Sequence, residues 1–260
     1  MNTVETILVA FAMFSALPVP QPVWNGRNLR YTLCVFPLIG VVCGLLWWGW
    51  CAACAALAVP DLLRGAGLCL LPVLLTGGIH LDGCADTWDA LACHGSPEKK
   101  QEILQDPRCG AFAVIRLCSY FILYFSLCTV LEPTPQAIAS MGFAFVLERA
   151  LSGLAISRFP LAKNTGLAHT FATAADRWTV GRVLTAVCVL SGLGLLCSGG
   201  LVGGGMLAGG LAVFWHYHRT ADRQFGGISG DLAGWFLQRA ELWMLAALVG
   251  GQRIGGLSWF

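Results

Sequence analysis

The sequence predicts an all-α, polytopic membrane helix bundle, and three observations carry that prediction. The 260 residues are 57% hydrophobic and only 12% charged, whereas a soluble domain usually carries about 25% charged residues. The apolar residues fall into runs near the roughly 17 to 25 residues that a spanning helix needs. The lysines and arginines collect in alternate gaps between those runs. No Ser/Pro linker, long charge block or low-complexity tail divides the chain, so residues 1–260 are expected to form a single membrane-embedded domain.

In chain order, the first apolar run is Val4–Leu17, which is short. Glu5 stands where a signal peptide would be basic, and Pro18 and Pro20 replace a small-residue cleavage site, so this run does not read as a cleaved leader. Leu33–Val59 is long and Ala66–Ile79 is short; Ala111–Leu131, Ala137–Ile156, Val180–Cys197, Leu201–His216 and Leu232–Val249 follow. About six to eight of these runs are expected to span, the short ones being alternatives as interfacial or broken helices. Gly199 to Gly210 is glycine-rich, which permits close helix packing.

If all eight span, one side receives Arg27, Arg30, Lys99, Lys100, Arg108, Arg158, Lys163, Arg177, Arg182, Arg219 and Arg223. The other side receives only Arg64 and Arg253. By the positive-inside rule this asymmetry puts the loops around 18–32, 80–110, 157–179 and 217–231 of a multi-pass protein in the cytoplasm. The net charge of +2 is scattered, which excludes a basic nucleic-acid footprint and leaves small molecules and membrane lipid as partners. The twelve cysteines lie mostly singly in apolar runs, where free cysteine acts as a small hydrophobe, so a reduced compartment is expected. Cys51 and Cys54 form a CxxC pair without the polar flank that a redox or zinc site needs.

The chemistry concentrates in Thr76 to Asp89, TGGIHLDGCADTWD. As a helix this segment puts Asp82, Asp86 and Asp89 at i, i+4 and i+7, on one face. Three carboxylates on one face repel one another unless a cation neutralises them, and Mg²⁺, an oxygen-seeking ion that also binds substrate phosphates, is the natural candidate. A solvated acidic face is the alternative. His80 fits a ligand, a general base or a hydrogen-bonded structural residue. Further on, Asp106 can add a carboxylate, Arg108 can meet a phosphate bidentately, and Gly110 can open backbone N–H groups to an anion at the next helix start. The same residues also spell an ordinary turn. A second cluster, Gly226, Gly227, Gly230 and Asp231, precedes the last run; its glycines are expected to free N–H groups for phosphate, with a plain glycine loop capped by Asp231 as the alternative. Charges inside spans are costly and are functional candidates by default. Glu148 and Arg149 point about 100° apart on a helix and are expected to pair with different helices. Arg239 and Glu241 lie on the last span, and for this group structural pairing and substrate contact stay open.

Taken in order, FSALPVP (14–20), Trp24, FPLIG (36–40), GGIHLDGCADTWDA, DPRCGAFAV, RALSG (149–153), PLAKNTG (160–166), GGISGDLAG and Glu241 resemble the cobalamin synthase, or adenosylcobinamide-GDP ribazoletransferase, family over most of the chain. Cys84 stands where Leu is frequent and Trp88 where Ala is frequent, and neither change removes a carboxylate. The resemblance implies that adenosylcobinamide-GDP and α-ribazole, or its 5′-phosphate, give adenosylcobalamin, or its phosphate, and GMP, with Mg²⁺ as cofactor. It further implies that Asp82, Asp86, Asp89 and Asp106 hold Mg²⁺ against the diphosphate, and that His80 or a carboxylate takes the proton of an attacking ribose 5′-hydroxyl. Arg108, Gly110, Arg149, Lys163, the GGISGD backbone and Glu241 are the implied substrate contacts. A homo-oligomer, or association with other enzymes of the cobalamin pathway, stays open. Two rivals remain. A CDP-alcohol phosphatidyltransferase would need DGxxAR, and the Arg is missing after Asp82–Gly83. A transporter would place its charges at the bilayer midplane, whereas these aspartates concentrate in one loop.

Overall fold

The computed structural model describes residues 3–257, with side chains to residue 255. Eleven helices follow one another among the described residues: α1 (Thr3–Phe14), α2 (Gly26–Leu29), α3 (Thr32–Ala56), α4 (Asp61–Thr76), α5 (Ile79–Ala92), α6 (Pro97–Ile103), α7 (Ala111–Val130), α8 (Pro135–Arg158), α9 (Leu167–Ala174), α10 (Arg177–Phe225) and α11 (Gly230–Leu257). No strand longer than an isolated bridge occurs among them. The all-α polytopic bundle read from the sequence is the observed architecture. Local chemistry sets the helix starts. Asn25 accepts from the amides of Arg27 and Asn28 at α2, and Ser96 and Thr134 cap α6 and α8 with Pro97 and Pro135 behind them. Asp176 caps α10 through Thr179 N–H. Each such cap satisfies N–H groups that the helix leaves without partners.

By length and apolarity α3, α7, α8 and α10 can each cross a membrane, and α4 with α5 makes a further broken pair, bent by 94°. Gly77 (φ +64°) and Gly78 (φ +80°) make that bend, a conformation that costs a side-chain-bearing residue more than glycine. It turns α5 out of the direction of α4, and α5 carries the aspartates. With the two arms of α10 counted separately, these helices and the broken pair give six candidate spans, the lower end of the expected six to eight. With 12 residues, α1 is about 18 Å long at 1.5 Å per residue, short of the roughly 30 Å hydrocarbon core. In α11 the apolar run is interrupted by Arg239 and Glu241. The 49 residues of α10 are two arms that fold back at Gly200 (φ +54°, ψ −126°). A methyl on Gly203 would lie 1.9 Å from the Leu195 carbonyl oxygen, and one on Gly192 would lie 3.5 Å from the Leu207 side chain. The expected runs Val180–Cys197 and Leu201–His216 are therefore the two arms of a hairpin packed through glycine.

The four arginine- and lysine-bearing loops meet at one end of the bundle. Arg30 pairs with Asp176 at 2.9 Å. Gln101 donates to the carbonyls of Ala162 and Phe225, Lys100 bonds Gln224, and Lys163 donates to the Gln101 carbonyl. Residues 160–162 bridge to Ile228 through a 2.9 Å bond in each direction. The other end is tied separately, by Arg64 with Asp61 and Leu131 and by Arg253 and Gln252 with Glu132. Between the two ends α8 is the buried centre, and large exposed apolar side chains such as Leu45, Trp48, Leu74, Ile122 and Leu190 cover the outside, as a lipid-facing surface requires.

Candidate functional site

Two glycines explain why residues 150 positions apart form one site. A methyl on Gly83 would lie 2.6 Å from the Asp231 α-carbon, and one on Gly234 would lie 2.6 Å from the His80 carbonyl oxygen. Helices α5 and α11 therefore cross with their backbones in contact, which only residues lacking a Cβ permit. The crossing sets Asp231 beside the aspartate face of α5. Asp86 is pushed up to about 6 by burial, then by the charges of Asp82, Asp231 and Asp89. Burial also raises Asp231, while Lys163 and a hydrogen bond from Ser229 draw it back down. Asp82 is exposed, whereas Asp86 and Asp89 are half-buried.

A cavity of about 560 Å³ opens at this crossing, within the roughly 300 to 1,000 Å³ common for small-molecule sites. His80, Asp82, Lys163, Gly230 and Asp231 line it together with Ser229. His80 is 6% exposed; burial, with the Arg149 charge, lowers it to about 3, so its imidazole is neutral. Its Nε2 has no hydrogen-bond partner. The remaining lining was not foreseen: Phe14, Phe36 and Phe171, and the polar Ser152, Gln105, Thr165 and His169. Phe14 and Phe36 lie in FSALPVP and FPLIG and Ser152 lies in RALSG, so position in those segments was their only signal. Phe171 and His169, on α9, had none.

Other expected site residues meet partners within the protein. The Asp89 carboxylate lies directly against Gly110, where a methyl would be 2.1 Å from its Oδ2, so the anion at the start of α7 is the protein's own Asp89. Asp106 is paired with Arg108 through two side-chain bonds of 2.9 and 2.7 Å. That pair is open to solvent, and Arg108 holds the Asp106 carboxyl down to about 2. Asp106 is not among the charges that raise Asp86. The glycine loop is largely committed to the backbone. The Gly226 and Gly227 amides bond the carbonyls of Asp222 and Ala221, and Ile228 N–H bonds Pro160. Gly227 also lies so close to residues 160–162 that a methyl would meet the Ala162 nitrogen at 2.6 Å. The expectation of free amides is thus corrected for these three residues, because the loop ends α10 and docks on residues 160–162; Gly230 and Asp231 are the members that reach the cavity.

Arg149 and Glu241 are 0% and 2% exposed and do not line the cavity. The expectation of separate helix partners for Glu148 and Arg149 is also corrected: Arg149 donates to Glu148 at 2.5 Å, to the Phe145 carbonyl at 3.0 Å and to Glu241 at 3.5 Å. A long guanidinium reaches back along its own helix as well as across to α11, so one Arg pairs with both carboxylates. Glu148 Oε2 and Arg149 Nε keep no partner.

The fit to a divalent cation rests on the donor set. Asp82, Asp86, Asp89 and Asp231 supply hard oxygens, and no cation offsets their mutual repulsion at Asp86. Among the described residues no three His, Cys, Asp or Glu side chains are gathered so as to hold a metal ion by themselves. An open carboxylate cluster suits Mg²⁺, which usually binds through one or two carboxylates and fills its shell with water and substrate phosphate.

The profile of the cobalamin-5-phosphate synthase family matches residues 6–249. The chain is 41% identical over 249 residues to the adenosylcobinamide-GDP ribazoletransferase of Lachnoclostridium phytofermentans, covering 96% of this chain and 95% of that one. Proteins of the same name from Pseudomonas fluorescens and Geobacillus kaustophilus are 33% and 30% identical, over 90% and 94% of this chain and 94% and 97% of theirs. No solved structure matches.

Proposed function

The chain belongs to the cobalamin-5-phosphate synthase family, and from that premise we propose how its residues carry out the reaction for which its relatives are named. It is an adenosylcobinamide-GDP ribazoletransferase: adenosylcobinamide-GDP and α-ribazole, or its 5′-phosphate, give adenosylcobalamin, or its phosphate, and GMP. The observation that carries the site assignment is the contact of Gly83 with Asp231, which joins the two motifs into one acid-lined cavity beside Lys163.

A ribose oxygen bonds to the phosphorus that carries the cobinamide, and the bond from that phosphorus to the GMP phosphate oxygen breaks. An acceptor already phosphorylated at C5′ has no 5′-hydroxyl. The nucleophile common to both acceptors is therefore a hydroxyl on the ribose ring, which replaces the 5′-hydroxyl expected from the sequence. Its proton passes to a carboxylate that lines the cavity, Asp82 or Asp231, while neutral His80 is placed to hydrogen-bond the sugar. Lys163 lines the same cavity and offsets phosphate charge. Mg²⁺, held by Asp82 and Asp86 with Asp89 and Asp231 beside them, would neutralise the diphosphate and the leaving GMP. Arg108 can exchange its bond to Asp106 for an incoming phosphate. The protein sits in a bacterial inner membrane with this end facing the cytoplasm, a reading supported by the eleven cations that the end carries.

The test is release of GMP by detergent-purified protein given adenosylcobinamide-GDP, α-ribazole and Mg²⁺. GMP no higher than in a no-acceptor control overturns the reading. Asp82→Asn with unchanged turnover and Mg²⁺ requirement overturns the metal assignment alone.

A further inference from the structure

The cavity has a second half that the transfer chemistry does not use. Opposite in character to the carboxylates and Lys163, its wall includes Phe14 from α1, Phe36 from α3 and Phe171 from α9. Phe14 is the hub, with ring centroids 4.4 Å from Phe36 and 5.4 Å from Phe171. Phe36 in turn meets the His80 ring edge-on at 5.8 Å. The apolar side chains of Ile156, Leu167 and Leu237 also face this space. Phe36 and Phe171 are each 2% exposed and pack behind Phe14, whose half-buried ring is the one open to the cavity, and an aromatic face on the wall of a nucleotide-sized cavity offers a stacking surface for a planar base.

The buried polar atoms of this lining say which kind of base. Ser152 is 1% exposed, and its hydroxyl has no hydrogen-bond partner. His80 Nε2 is the other buried atom of the lining without a partner. Gln105 and Thr165 are exposed and His169 is half-buried, so they belong to the rim. A guanine carries several donors and acceptors on its edge, and burying them against phenylalanines leaves most unpaired, each at a cost. A benzimidazole-type base bonded to the ribose through one nitrogen has a single free acceptor, its other ring nitrogen. One serine hydroxyl satisfies it. At about 560 Å³ the cavity is also too small to enclose a corrin macrocycle together with a nucleotide, so the corrinoid lies outside it.

We propose that this cavity is the acceptor seat, and that it selects an α-ribonucleoside with an apolar, planar base, stacked on Phe14 with Phe36 and Phe171 backing that ring, whose one free ring nitrogen accepts a hydrogen bond from Ser152. The proposal rests on the transferase reading above and adds to it which substrate the cavity holds and which base it prefers.

The experiment pairs Ser152→Ala and Phe14→Leu with two acceptors, α-ribazole and its indole analogue, in which CH replaces the free ring nitrogen. GMP release is followed in purified protein with Mg²⁺ at varied concentrations of each substrate. In the wild type the indole analogue is expected to show a KM about tenfold higher than α-ribazole. Ser152→Ala removes that difference by raising the KM for α-ribazole alone. Phe14→Leu keeps an apolar side chain but no ring, and is expected to raise the KM of both acceptors about tenfold, with the KM for adenosylcobinamide-GDP unchanged in both variants. If Ser152→Ala leaves the tenfold difference in place, the hydrogen bond is refuted. If the KM for adenosylcobinamide-GDP rises and that for the acceptor does not, the cavity holds the guanosine instead and the proposal fails. Either result still shows GMP release by the wild type, which separates failure of this inference from failure of the transferase reading.

Discussion

Gly83→Ala is the sharpest test of how the site is assembled. The added methyl carbon would lie 2.6 Å from the α-carbon and 3.0 Å from the carbonyl oxygen of Asp231. Both are backbone atoms of a helix start and cannot rotate away. Ordinary carbon contacts lie at about 3.5 to 4.0 Å, so α5 and α11 must separate by about 1 Å. Overpacking of this kind costs about 1 to 3 kcal/mol, with a small offset because alanine favours helix. The larger effect is on chemistry. A displacement of about 1 Å between groups that must act together costs about a hundredfold in rate, and here it moves Asp231 away from Asp82 and Asp86. The expected result is protein that still folds, with kcat for GMP release about a hundredfold lower. Gly49→Ala, where nothing lies within 4 Å of the added methyl, is the matched control and is expected to keep full activity. Wild-type kcat and an unchanged Mg²⁺ requirement in Gly83→Ala would refute the claim that this crossing builds the site.

Four further outcomes follow from the same geometry. Asp86→Asn is expected to weaken Mg²⁺ at least tenfold, read from the Mg²⁺ dependence of GMP release; an unaltered dependence removes Asp86 from the ion's surroundings. The Asp86 carboxyl titrates near 6 when folded against 3.8 in an unfolded chain, so its ionisation opposes folding. In Mg²⁺-free protein its contribution is full below about pH 4 and is lost as pH rises through 6, so the Tm difference between wild type and Asp86→Asn should shift against wild type over that interval. Arg149→Met leaves Glu148 and Glu241 buried without their shared cation and is expected to cost about 3 to 5 kcal/mol of stability, seen as a lower Tm or loss of folded protein. Gly200→Ala forces a side chain into the turn of the α10 hairpin (φ +54°, ψ −126°) and is expected to cost about 1 to 3 kcal/mol by thermal unfolding; an unshifted Tm would show that the turn tolerates a Cβ.

The helices were legible because lipid imposes one rule along the whole chain: a segment that crosses must be apolar for its length and must satisfy its own backbone. Even the hairpin at Gly200 showed as a gap between two apolar runs. The sorting of cations was legible for a related reason, since Arg30, Lys100, Lys163 and Arg219 fall in alternate gaps and alternate gaps share an end. What the sequence did not show was partnership across helices. The Glu148–Arg149 contact depends on how far a guanidinium folds back along its own helix, and spacing alone pointed to separate partners. Gly226 and Gly227 looked like an anion loop because glycine permits both open amides and tight docking, and only the position of residues 160–162 decides between them.

The aromatic wall shows the same limit from the other side. Phe14, Phe36 and Phe171 sit on three helices with no periodicity linking them, and each alone reads as a core residue. Their grouping depends on loops from the cation-rich end folding together: the link from Arg30 to Asp176 ties the segment before α3 to the segment after α9, and the bridge of Leu161 to Ile228 closes the far rim. The positions of Asp82, Asp86 and Asp231 depend instead on glycine contact between α5 and α11. The cavity is therefore set by two independent devices, backbone approach for the charged half and loop closure for the apolar half. A change in the loops, such as Arg30→Ala, should then loosen acceptor binding while leaving the carboxylate cluster and its Mg²⁺ dependence in place. Steady-state kinetics can check this: the expected result is a raised acceptor KM with the Mg²⁺ response unchanged, and a loss of both together would show that the two halves are mechanically one.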